Sequence, residues 1–83
     1  MAFGNLPVID MKMTGMNIER LRRMNHMKVS DVQEVFGFSS PQAIYKWERG
    51  KTLPALDNLV VLASIFRCSI DDIIVLEKRQ PRG

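Results

Sequence analysis

Apolar residues recur along most of this chain at intervals of three and four, the spacing of a helix face, rather than at alternate positions. Ile18, Leu21 and Met24 form the first stripe, with Arg20, Arg22 and Arg23 turned outward. Thr14 offers a hydroxyl as N-cap, so a first helix is expected over about 15–25. Val29, Val32, Val35 and Phe36 form the second stripe, and Gly37 is a natural stop, which predicts a helix over 29–36. Lys28 is a weak cap there and the valines lower helix propensity, so a strand competes; the spacing 29, 32, 36 still fits a helical face better. Ser40 can cap a third helix with Pro41 at its first position, where proline loses no hydrogen bond. In it Ala43, Ile44 and Trp47 face inward. Gln42, Tyr45, Lys46 and Arg49 face out or sideways, and Gly50 ends it. "KTLP" is a loop, and Pro54 leads into a fourth helix with Leu56, Leu59, Leu62, Ala63 and Phe66 on its apolar face, closed by Arg67 and Cys68. Ser69 caps a fifth, with Asp72 completing a capping box and Ile70, Ile73, Ile74 and Leu76 as the apolar set.

Ahead of these stripes, residues 1–13 have no helical period. They read as an N-terminal arm with a short extended piece at "PVIDMK". Residues 14–76 are the expected folded domain, and 77–83 a polar tail expected to fray. No internal repeat or low-complexity tract interrupts the pattern.

Composition narrows the picture. A chain of 83 residues is one domain with a thin core, which oligomerisation often supplements. A single cysteine cannot form an internal disulfide, in keeping with a reducing cytoplasm. Apolar runs such as "LVVLASIF" fall far short of the roughly 20 residues of a membrane span. "MAFGNLPVIDMKMTG" lacks the basic-then-apolar order of a signal peptide. A cytoplasmic protein with no membrane role is therefore expected. Net charge +3 permits a nucleic-acid partner without establishing one.

Catalytic chemistry finds little to use. There is no glycine-rich phosphate loop, and His26 is the one histidine, with no cysteine or carboxylate cluster at ligand spacing. Cys68 reads as a small apolar filler and the six methionines as core or arm contacts. Asp71 and Asp72 read as charges favoured at a helix N-terminus. The expectation is no enzyme, no metal, no cofactor and no small-molecule ligand.

The second and third helices, joined by a turn of about three residues around Gly37, match a helix-turn-helix, whose second helix enters the major groove. From residue 17 to 74 the chain resembles the lambda-repressor/Cro-like (XRE-type) helix-turn-helix family. The most specific motifs are "IYKWERGKTLP", then "LDNLVVLASIF", then "SIDDII". The form "QEVFGFSSPQAIYKW" is similar to small stand-alone regulators of Firmicutes-like bacteria and their mobile elements. The resemblance implies an all-α, five-helix fold, a recognition helix over the third stripe, and a loop after it that lies against phosphates. Two departures stand out: Lys28 replaces the usual Ser/Thr cap, and "FSSPQA" is one residue longer before the Ile than the commonest family form.

On that footing Gln42, Lys46, Tyr45 and Pro41 are the expected base-facing residues. The Gln42 amide matches adenine N6/N7, Lys46 suits guanine or a phosphate, and Tyr45 a thymine methyl or a phosphate. Ser40, Arg49, Lys51 and Thr52 are the expected backbone contacts, which set register and affinity. Each has a plainer alternative as a solvated helix or loop residue, and Arg20, Arg22 and Arg23 read as solvated face or DNA-facing. Trp47 reads as core rather than a stacking platform, and Glu48 as a surface ion-pair partner rather than an acid. The functional expectation is a sequence-specific double-stranded-DNA-binding transcriptional regulator, a repressor, acting as a homodimer. Ile74 and Leu76, or an arm edge at Val8 and Ile9, are the candidate interfaces. The alternatives are an antitoxin-like or accessory module that uses the same fold for a protein partner, and a nonspecific nucleic-acid binder.

Overall fold

The computed structural model describes residues 6–78; the first residues of the expected arm and residues 79–83 of the expected tail lie outside them. Five helices follow in order: α1 (Met11–Met24), α2 (Val29–Phe36), α3 (Gln42–Glu48), α4 (Leu56–Phe66) and α5 (Ile70–Ile73). Ile18, Leu21, Val32, Ile44, Trp47, Leu59, Leu62, Ala63, Phe66 and Ile73 form one core to which every helix contributes. The fold is all-α, as expected.

α1 starts earlier than the spacing predicts. Its cap is Asp10, whose carboxylate accepts from the Met13 N–H at 2.9 Å, so the helix takes in the last residues of the expected arm. Thr14, expected as the cap, is fully buried one turn in. Its hydroxyl accepts from the Val75 N–H at 2.9 Å and donates to the Val75 carbonyl at 3.3 Å. The inward face of α1 is Thr14, Gly15, Ile18, Leu21 and Arg22. These positions share a helix side, and Met24 is rotated well off it and exposed, contrary to the expected stripe. Val35 and Leu56, also expected inside, are exposed for the same geometric reason: each lies off the buried face of its helix.

α1, α2, α3 and α4 all terminate in the same backbone turn. The residue that closes each turn is left-handed: Gly37 and Arg67 are the C-caps themselves (φ 68 and 56°), and His26 and Gly50 follow the C-caps Asn25 and Arg49 (φ 57 and 71°). In each turn the next N–H reaches back to the helix: Met27 to the Arg22 carbonyl, Phe38 to Gln33, Lys51 to Lys46 and Cys68 to Ala63, at 2.9–3.1 Å. This Schellman arrangement satisfies carbonyls the helices would otherwise leave free. Glycine supplies the left-handed residue in two cases, and His26 and Arg67 adopt it with a Cβ present.

α5 carries the expected capping box: Ser69 Oγ accepts from the Asp72 N–H at 3.2 Å, and the Asp72 carboxylate accepts from the Ser69 N–H at 3.0 Å. It is a single turn, because Ile74 is already extended (φ −79°, ψ 129°). The chain then pairs with the segment before α1 through an antiparallel bridge between Ile9 and Leu76. The Asp10 N–H donates to the Val75 carbonyl and the Glu77 N–H to the Val8 carbonyl, both at 2.8 Å. Of the extended piece expected at "PVIDMK", Val8 to Asp10 pair within the chain, whereas Met11 and Lys12 open α1 instead.

Candidate nucleic-acid interface

α2 and α3 are held by three rings. Phe36 and Phe38 stack at 5.0 Å on either side of Gly37, and Trp47 meets both edge-on, at 5.5 and 5.9 Å. Trp47 is core, as the sequence indicates. The Gln33 side-chain amide donates to the Phe38 carbonyl at 3.2 Å, tying the turn back to α2. Lys28 makes no side-chain cap on α2; its own N–H is instead bonded by the Asp31 carboxylate at 2.7 Å.

The connection between the two helices is longer than the sequence suggests, because α3 starts at Gln42. Pro41 occupies the cap position and its carbonyl accepts from the Tyr45 N–H at 3.1 Å; no side chain caps the helix. Ser40 is exposed and is not the cap. Pro41 packs half-buried at the start of the helix. Residues 39–41 form bends, and Gln42 takes the first helical position.

α3 separates cleanly into two sides. Ile44 and Trp47 are buried, while Gln42, Tyr45, Lys46 and Arg49 are exposed at the spacing i, i+3, i+4, i+7 of one face. The Arg49 guanidinium lies 5.6 Å from the centre of the Tyr45 ring, a cation–π approach. Lys51 and Thr52 are exposed just beyond. Their N–H groups fold back to the Lys46 carbonyl at 2.9 and 3.4 Å, which draws this basic loop against the end of α3. Of the expected site residues, Gln42, Tyr45, Lys46, Arg49, Lys51 and Thr52 therefore gather on or beside one surface. Pro41 and Ser40 sit at its leading end.

Two residues that position this surface escaped the sequence reading. Arg22, expected to face outward, is buried and forms a fork on Glu48: Nε to Oε2 at 2.7 Å and Nη2 to Oε1 at 3.3 Å. Its Nη1 donates to the Met27 carbonyl at 2.9 Å. Glu48 is thus an ion-pair partner, but a buried one rather than a surface one, with 8% of its side chain exposed. The Glu48 hydrogen bonds hold the Arg22 guanidinium more firmly protonated than an ordinary arginine, against the opposing effect of burial. Arg22 stands four residues after Ile18, and that register was the available signal. Gly15 is the second: a Cβ there would stand 2.5 and 2.6 Å from the Trp47 and Glu48 carbonyl oxygens. α1 and α3 therefore meet backbone to backbone, and the ion pair fixes the rotation of α3 about its axis.

Burial, with a smaller push from Asp72, raises the Cys68 thiol. Among the described residues no group of His, Cys, Asp or Glu is placed to hold a metal, and no helix is long and apolar enough to cross a membrane.

The family model described as helix-turn-helix matches residues 18–73. No curated protein sequence matches the chain significantly. Among solved structures, the S. venezulae BldD DNA-binding domain is similar with a TM-score of 0.66 at 18% identity, over 78% of this chain and 96% of that one. A crystal structure of the DNA-binding domain of BldD matches with a TM-score of 0.65, also at 18% identity, over 77% and 92%. At that identity the two structures speak to the fold alone.

Proposed function

The chain belongs to the lambda-repressor-like helix-turn-helix family, and on that premise we propose that it is a sequence-specific double-stranded-DNA-binding repressor of transcription that acts as a homodimer. Family membership supports a DNA-binding, non-enzymatic regulator. The finer reading rests on one observation: Gln42, Tyr45, Lys46 and Arg49 share the exposed face of α3 while Ile44 and Trp47 anchor its other face. In this reading α3 lies in the major groove with its N-terminal end toward the base edges. Gln42, at the first helical position, reads adenine through its paired donor and acceptor. Lys46, one turn on, reaches guanine or a phosphate. Tyr45, with the Arg49 guanidinium near its ring, meets a thymine methyl or a phosphate, and Ser40, Arg49, Lys51 and Thr52 contact the backbone. Pro41 sets the angle at which the helix meets the bases. Two copies then bind an inverted repeat with half-sites about one helical turn apart.

Selection from a random pool of duplex DNA tests this directly. A palindromic motif is the expected outcome; retention with no motif, or no retention by folded protein, refutes sequence-specific recognition. With a motif in hand, Gln42→Ala should relax one base position at a cost of roughly 1–3 kcal/mol. Lys51→Ala should weaken all duplexes alike and lower the salt slope by about one. Identical behaviour of the two variants would break the division into readers and clamps.

A further inference from the structure

We propose that a second copy of this chain docks on the outward edge at Leu76, pairing Leu76 with Leu76 across a two-fold axis. The inference rests on the homodimer reading above and gives that dimer a specific surface. The bonds Asp10 N–H to Val75 and Glu77 N–H to Val8 flank the Ile9–Leu76 pair. In an antiparallel ladder, residues between two such bonds turn their own N–H and C=O away from each other. Val75 is fully engaged on the inner side, by Asp10 and by both bonds of the Thr14 hydroxyl. Leu76 therefore directs a donor and an acceptor outward, and neither has a partner among the described residues.

Two such edges exist, and they differ. On the outer side of Ile9 the next residue in register is Pro7, which has no N–H to give and blocks continued pairing. On the outer side of Leu76 the next in register is Lys78, with its N–H intact. This second edge is the one able to accept another extended segment. Beside it lies a groove of about 580 Å3 lined by Asp10, Met13, Val75, Leu76, Glu77 and Lys78. Leu76 and Met13 are half exposed among the described residues.

The same geometry selects a second copy as the occupant. A residue that offers one outward donor and one outward acceptor is complementary to itself across a two-fold axis, the commonest symmetry of homodimers. Antiparallel pairing centred on Leu76 places Glu77 opposite Val75 of the partner and Lys78 opposite Ile74. No two like charges face each other, an arrangement that would oppose pairing. On one face the four side chains in a row are Ile9, Leu76 and their symmetry mates, all aliphatic. A small domain with a thin core gains most from this kind of burial.

Sedimentation velocity on the full chain and site-directed crosslinking test the interface together. In a Cys68→Ser background, Leu76→Cys places two thiols on residues about 5.5 Å apart at Cα, within disulfide range, so oxidation should give a covalent dimer. Leu76→Pro removes the outward N–H without touching an internal bond. It should raise the dimer dissociation constant about tenfold or more while leaving the far-UV helix signal and single half-site affinity unchanged. A dimer that neither crosslinks at Leu76→Cys nor responds to Leu76→Pro overturns this interface and leaves the homodimer reading standing. A chain that sediments as a monomer at every concentration, with and without DNA, overturns both.

Discussion

Helix propensity and packing assign opposite signs to Gly15→Ala. Inside a helix alanine is favoured over glycine by about 0.8–1.0 kcal/mol, so on propensity alone the change stabilises. In the fold the new methyl stands 2.5 Å from the Trp47 oxygen, 2.6 Å from the Glu48 oxygen and 2.8 Å from the Gly50 nitrogen. All three are backbone atoms at the end of α3, held by its last hydrogen bonds, so none can swing aside as a side chain would. α1 and α3 must separate, which loosens Ile18 against Ile44 and Trp47 and stretches the Arg22–Glu48 pair. Overpacking costs about 1–3 kcal/mol, and a backbone obstacle puts this case at the upper end. Set against the propensity gain, the net loss is about 2 kcal/mol, or roughly 10 °C in Tm for a domain of this size. Urea unfolding followed by Trp47 fluorescence measures it. A midpoint equal to or above the wild type, at unchanged slope, would refute the backbone-to-backbone seam.

Three further outcomes follow from the same structure. Arg22→Met leaves the Glu48 carboxylate buried without its partner and should cost about 3–5 kcal/mol; the double variant with Glu48→Leu should lose less than the two singles combined, by urea unfolding. Arg67→Gly relieves a left-handed residue that carries a Cβ and should raise stability by about 1 kcal/mol, measured the same way; a decrease would show that the Arg67 side chain contributes more than its backbone strain costs. The Ser69 hydrogen bonds hold the Asp72 carboxyl below the usual range, so its contribution is complete above about pH 4 and fades as pH falls through the lowered value. Asp72→Asn should therefore be less stable than wild type at neutral pH and converge with it in acid; a gap that persists at low pH would remove the capping box as its source.

Local signals carried far in this chain and long-range ones did not. The limits of α2 were legible because Gly37 follows a short valine stripe, and the cap of α5 because Ser69 and Asp72 stand three apart. The start of α1 was not: Asp10 precedes "MKMTG", where methionines on every side blur the period and Gly15 reads as a boundary. Its actual role depends on Trp47 and Glu48, remote in sequence. Arg22 is the sharpest case: its register four residues after Ile18 points inward, but a charge in a helix ordinarily marks the solvent side, and its partner Glu48 is remote in sequence. The polar face of α3 was legible residue by residue, because Ile44 and Trp47 settle its rotation. Its first residue was not, since Ser40-Pro41 reads as a start and serves as the approach. The Ile9–Leu76 bridge joins two short segments with no pattern of their own.

That bridge also sets an order of events during synthesis. A chain is released from the ribosome N-terminus first. The core that holds α3 in place draws on α4 and α5 as well as α1, so its exposed face is fixed only once Ile73 is made. The bridge waits for residues 75–77. A chain that stops before Val75 therefore lacks both the bridge and the partner of the Thr14 hydroxyl.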